Sequence, residues 1–118
     1  MQLGVDPDQS AMLKTLRQAY PAFEKDPFLR SVFWRISAIH YAAAGDFQEA
    51  VRDETLALQW GFPQAELFNE RGCLRLKLGD LKSAANDFQL ALKTAPNYTN
   101  ALANLNSLPA TGKTRPGE

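Results

Sequence analysis

Between Ala65 and Asn97 the chain reads AELFNERGCLRLKLGDLKSAANDFQLALKTAPN, with apolar residues recurring every three or four positions. That is the period of a helix with one buried face. Two helices are predicted. The first runs from Glu66 to Leu78 and carries Leu67, Phe68, Leu74, Leu76 and Leu78, with Gly79 placed to end it in a left-handed backbone conformation. Asp80 then caps the second, Leu81 to Thr94, by accepting a backbone N–H bond. This second helix buries Leu81, Ala84, Ala85, Phe88, Ala91 and Leu92, and Pro96 stops it.

The same pattern stands 34 residues earlier, with no gap. Gly79-Asp80 falls on Gly45-Asp46, Ala84 on Ala50, Ala91 on Ala57, Leu92 on Leu58, Phe68 on Trp34, Gly72 on Ala38 and Leu81 on Phe47. Trp34, Ile36, Ala38, Ile39 and Tyr41 lead to Gly45. Asp46 and Glu49 form a capping box for a helix from Phe47 to Trp60, followed by Gly61 and Pro63. The matching positions are the structurally demanding ones. Gly72, Ala84 and Ala91, like Ala38, Ala50 and Ala57, are expected where the helices of a pair cross closely. Gly79 is expected where a turn needs positive φ.

One further step back by the same period places Leu16, Tyr20 and Phe23 at second-helix core positions. A helix from Gln9 to about Glu24 is expected, kinked or shortened by Pro21. Asp26-Pro27 reads as an N-cap followed by a first-turn proline. Thr99 to Leu108 resembles a first helix without a following partner, with Leu102 and Leu105 apolar and Pro109 ending it.

Taken together these residues resemble the tetratricopeptide repeat (TPR) family. The run aromatic-x3-Gly/Ala, Gly, Ala, aromatic, Ala, Pro is present as Phe68, Gly72, Gly79, Ala84, Phe88, Ala91 and Pro96. The earlier copy offers Trp34, Ala38, Tyr41, Gly45, Ala50 and Ala57. The resemblance covers residues 31–98. It implies an all-α fold: a short TPR solenoid of antiparallel helix pairs, with two full repeats plus flanking N-terminal and C-terminal helices. The division expected is a single domain over 1–118. Residues 1–8 are flexible, 9–30 form an N-terminal helical segment, 31–64 and 65–98 are the repeats, 99–108 are a polar-faced capping helix, and 109–118 are a disordered tail.

Two departures from the family pattern stand out. Glu54 occupies the position that Phe88 fills in the second copy, and Arg71 and Arg75 replace an expected Leu and aromatic. Asp53, Glu54, Arg71, Arg75 and Asp87 are therefore expected to form a structural ion-pair network; a charged ligand site is the alternative reading. The resemblance also implies that first helices line a concave groove. Its lining here would be Arg35, Ile39, Ala42, Glu66, Asn69, Cys73, Leu76, Asn100 and Ala103. This surface is apolar with a few polar groups, suited to an extended peptide or a partner's helix. The Lys/Asn clamp by which some TPR domains hold the C-terminal carboxylate of chaperones is absent. Arg35 and Ile39 stand at its leading positions and Glu70 at the next, so that partner class is not expected.

Composition narrows the function classes. The 118 residues carry 13 Lys+Arg and 13 Asp+Glu, a net charge of zero without the basic excess of a nucleic-acid binder or a membrane-binding patch. No apolar run approaches the roughly 20 residues of a bilayer span. The opening MQLGVDPDQS lacks the basic and apolar regions of a secretory signal, making a cytoplasmic location the expectation. The one cysteine, Cys73, leaves no internal disulfide and no cysteine metal cluster. His40, the one histidine, reads as structural; a Cys73–His40 pair is disfavoured because the two fall on different helix faces. Gly112-Lys113-Thr114 resembles the end of a phosphate-binding loop, but Ser107 stands where that loop needs Gly. No catalytic set, metal site or cofactor is expected. The leading expectation is a non-enzymatic protein–protein interaction module, an adaptor or assembly factor. The alternatives are a self-associating module, dimeric through exposed ends, and a regulatory fragment of a larger protein.

Overall fold

The computed structural model describes residues 7–60 and 64–109, with side chains described from residue 11 onward within that span. The described residues are all-helical, with six helices and no strand. The expected stop at Gly61 and Pro63, the C-terminal tail from residue 110, and the Gly112-Lys113-Thr114 stretch lie outside the described residues, as do residues 1–6 of the flexible start; Pro7 and Asp8 are already helical. Packing divides the chain into two compact units, Met1–Phe62 and Pro63–Glu118.

The first unit contains α1 (Pro7–Phe23), α2 (Pro27–Ala43) and α3 (Phe47–Trp60). Pro21 falls in the last turn of α1, which continues to Phe23. Asp26 Oδ1 accepts from the N–H groups of Phe28 (2.9 Å) and Leu29 (3.2 Å), and Pro27 begins α2 where no N–H is needed. Tyr20 and Phe23 of α1 pack on α2: Tyr20 lies 4.8 Å from Phe33 and 5.3 Å from Trp34, centroid to centroid, and Phe23 lies 5.8 Å from Phe33. Between α2 and α3, Ala38, Ala50 and Ala57 are fully buried, and Ser31 Oγ donates to the Ala57 carbonyl at 2.8 Å.

The second unit contains α4 (Ala65–Lys77), α5 (Leu81–Thr94) and α6 (Thr99–Asn106). Phe88, Ala84 and Ala91 are fully buried. The Phe88 ring lies over Gly72: a Cβ built there would stand 2.6 Å from Phe88 Cε1. The small residue is thus required by the ring it faces, as the pattern predicts. In the first hairpin the same two positions carry Ala38 and Glu54, so a slightly larger residue on one helix accompanies a slimmer one on the other. Leu108, just beyond α6, is buried with Ala84, Ala85 and Phe88, and Leu105 packs beside it. The expected apolar pair of this last helix is thereby corrected: Ala101, Leu105 and Leu108 face inward and Leu102 is exposed. Leu78, the C-cap residue that follows α4, is exposed.

Both hairpin turns are built alike. Gly45 has φ +83° and Gly79 φ +79°. The Gly45 N–H bonds the Ala42 carbonyl at 3.0 Å and the Asp46 N–H reaches back to Tyr41 at 2.9 Å; Gly79 bonds Leu76 at 3.0 Å and Asp80 reaches Arg75 at 2.9 Å. The two pairs of bonds satisfy helix-end carbonyls that would otherwise be orphaned. Asp80 Oδ1 also accepts from the Ser83 N–H at 3.2 Å, opening α5.

Candidate functional site

Each hairpin buries one aspartate on its second helix, and the two stand 34 residues apart: Asp53 and Asp87, both 0% exposed. Burying a carboxylate is costly unless its oxygens are bonded. Asp87 receives two arginines from α4. Arg71 Nη2 lies 2.7 Å from Oδ1 and Arg71 Nε 3.0 Å from Oδ2, a fork-to-fork pair; Arg75 Nη1 lies 2.7 Å from Oδ2. Asp53 is held differently. Ser37 Oγ donates to Oδ2 at 2.6 Å and Arg52 Nε to Oδ1 at 3.1 Å. Ser37 and Tyr41 occupy, one period earlier, the positions of Arg71 and Arg75. Of the residues expected in one network, the structure brings together Arg71, Arg75 and Asp87 and places Asp53 with Ser37 and Arg52; Glu54 is buried alongside on α3.

Replacing two arginines by Ser37 and Tyr41 leaves space. A cleft of about 400 Å³ lies among α1, α2 and α3, lined by Arg17, Tyr20, Phe33, Trp34, Ser37, Tyr41, Arg52, Asp53 and Leu56. The Tyr41 hydroxyl accepts a hydrogen bond from Arg17 Nη2. The Arg52 guanidinium stands 5.6 Å from the centre of the Tyr41 ring, within cation–π range. Burial pulls the Arg52 pKa down, but its bond to Asp53 and its proximity to Tyr41 outweigh that and raise it. The Trp34 indole Nε1 is buried with no hydrogen-bond partner among the described residues. In the second unit a more open depression of about 610 Å³ lies between the start of α4 and the α5–α6 connection, lined by Gln64, Ala65, Glu66 and residues 95–98.

The residues expected to line a groove fare unequally. On α2, Ile39 is 52% exposed, while Arg35 and Ala42 are half-buried. Glu66, Asn100 and Ala103 are exposed; Leu76 is half-buried against the Ala84–Phe88 core. Asn69 is buried, its Oδ1 accepting from Asn104 Nδ2 at 2.9 Å, and the same amide nitrogen lies 3.5 Å from Cys73 Sγ. The expected lining positions of Asn69 and Cys73 are thus occupied by an intramolecular contact with α6. Burial raises the Cys73 thiol pKa above its ordinary value, Glu70 adds to the rise and Lys77 opposes it.

The cleft residues Arg17, Ser37, Tyr41 and Arg52 escaped the sequence reading. A signal was present: Asp53 aligns with Asp87, but the partners of Asp87 have no counterparts at 37 and 41, so Asp53 had to find others. Among the described residues no group of three His, Cys, Asp or Glu is placed to hold a metal ion, and no helix is long and apolar enough to cross a membrane. No protein-family model matches the chain, and no curated protein matches its sequence.

Proposed function

We propose that the two hairpins are tetratricopeptide repeats of a short solenoid and that the chain is a non-enzymatic interaction module, holding a peptide or helix of a partner protein. The observation that carries this reading is the repeated turn: the same positive-φ glycine and the same two backbone bonds recur at a 34-residue step. A repeated hairpin of that length is the building unit of proteins that bind through extended helix faces. The face of α2 that presents Ile39, with Arg35 and Ala42 beside it, is the contact surface best placed for an apolar anchor.

The test is selection from a displayed library of random peptides against the full chain, followed by binding to Ile39→Glu. Enriched peptides should bind the parent chain and lose most of their affinity for the variant, whose helicity stays unchanged because residue 39 is exposed. Peptides that bind both alike, or no enrichment at all, would refute it. The exposed Leu102 on α6 favours a second reading, self-association. Sedimentation at micromolar concentration separates the two: a monomer removes the second.

A further inference from the structure

We propose that the cleft of the first unit is a binding site for an aromatic group that carries a single carboxylate. Two independent features of the cleft lead there. The first is shape. Tyr20, Phe33, Trp34, Tyr41 and Leu56 give it apolar, largely aromatic walls, and its volume of about 400 Å³ falls within the range of small-molecule sites. The rings are held against one another at 4.8 to 5.3 Å (Tyr20 to Phe33, Tyr20 to Trp34 and Phe33 to Trp34), so the walls are rigid and suited to stacking a flat body.

The second is charge. Two guanidinium groups, Arg17 from α1 and Arg52 from α3, converge on the Tyr41 hydroxyl and ring, while the lining contains one carboxylate, Asp53. Asp53 is fully buried and both its oxygens are already bonded, Oδ2 by Ser37 and Oδ1 by Arg52 Nε. It offsets one of the two cations. Arg17 has a neutral hydroxyl as its partner and no carboxylate partner among the described residues. The lining therefore carries one positive charge in excess. A carboxylate, with one negative charge and the fork geometry that guanidinium groups match, completes it. A phosphate monoester, with a charge of about −1.5 to −2, overshoots it.

The Trp34 indole N–H is buried with no acceptor. Buried donors are nearly always bonded, so this N–H, on a residue of the cleft wall, reports a change in its surroundings when the cleft fills. The second hairpin supplies the contrast. There Arg71 and Arg75 stand at the positions of Ser37 and Tyr41 and spend themselves on Asp87, so the same scaffold is internally neutralised. The site does not depend on the hairpins being tetratricopeptide repeats.

The chemistry has two sources, a free aryl acid and a peptide ending in an aromatic residue. The experiment uses the full chain labelled with nitrogen-15. The Trp34 indole N–H resonance is followed during titration with 3-phenylpropanoate, with its amide, with phenyl phosphate, and with a short peptide ending in Phe. The Trp34 indole signal should move with the acid and not with the amide, and the Trp60 indole signal should stay in place. Arg17→Gln, at an exposed position, should weaken binding of the acid about tenfold or more, the loss of one charge-assisted bond. Tighter binding of the peptide than of the free acid assigns the source to a chain terminus, and the reverse order to a small molecule. A Trp34 signal unmoved at millimolar acid, equal binding of the amide, preference for phenyl phosphate, or an Arg17→Gln chain that binds as well as the parent would each overturn the proposal.

Discussion

Gly72→Ala places one methyl group where the fold has no room for it. The new Cβ would lie 2.6 Å from Phe88 Cε1, 2.9 Å from Cδ1 and 3.0 Å from Cζ. Phe88 is 0% exposed and its ring is walled by Ala84, Ala85 and Leu108, so it cannot swing away as the end of a surface side chain can. Overpacking of this kind costs about 1–3 kcal/mol. Alanine is the better helix former by about 1 kcal/mol, which offsets part of that cost. The net effect is a loss of about 0–2 kcal/mol, and for a unit of this size each 1 kcal/mol lowers Tm by about 4–8 °C. Thermal and urea unfolding followed by far-ultraviolet circular dichroism measure it. Phe88→Leu removes the obstructing ring edge and is itself destabilising. Combined with Gly72→Ala it should lose less than the two single losses together, with a coupling of at least about 0.5 kcal/mol. A Gly72→Ala chain more stable than the parent, by the amount helix propensity alone supplies, would refute the close approach of α4 and α5.

Further outcomes follow from the turns, the buried acids and the thiol. Gly79→Ala meets no atom within 4 Å, so its cost of about 1–2 kcal/mol comes from the positive φ alone, and Gly79→Asn should cost less; equal stability of the Ala variant and the parent in urea would contradict the turn. Asp87→Asn strands two arginine side chains that are 13% and 23% exposed and should cost about 3 kcal/mol, whereas Asp53→Asn loses an arginine that is 58% exposed and should cost about 1–2 kcal/mol; the reverse order of unfolding midpoints would defeat the assignment of partners. Cys73 has a raised pKa, so its neutral thiol favours folding fully below the ordinary thiol pKa, and that contribution is lost as pH rises through the folded value. Iodoacetamide at mildly alkaline pH should modify Cys73 more slowly than a cysteine in an unfolded peptide, and an equal rate would refute its burial.

How much of this was legible beforehand differs from residue to residue. The turns were, because a glycine followed by aspartate after an apolar helix has one economical use, and it occurs twice at a fixed step. The close crossing at Gly72 was legible for the same reason, since only a small residue suits a helix face that meets a ring. Leu102 was misplaced because a leucine in a short helix satisfies the apolar period whichever way that helix rotates, and the rotation is set by Leu105 and Leu108 meeting Ala84, Ala85 and Phe88. Asn69 looked like a surface polar residue; its burial depends on Asn104, 35 positions later, which no local pattern announces. The cleft stayed hidden because its walls come from three helices, and because Arg17 and Arg52 read as ordinary surface charges until their convergence on Tyr41 is seen.

The measurement closest to the central claim, that one hairpin design is used twice at a 34-residue step, is a through-hydrogen-bond NMR correlation experiment on the full chain. Coupling is predicted from the Asp46 amide to the Tyr41 carbonyl and from the Asp80 amide to the Arg75 carbonyl, each across a bond of 2.9 Å. If one pair shows the coupling and the other amide is bonded elsewhere or exchanges freely with water, the two turns are not copies and the repeat falls.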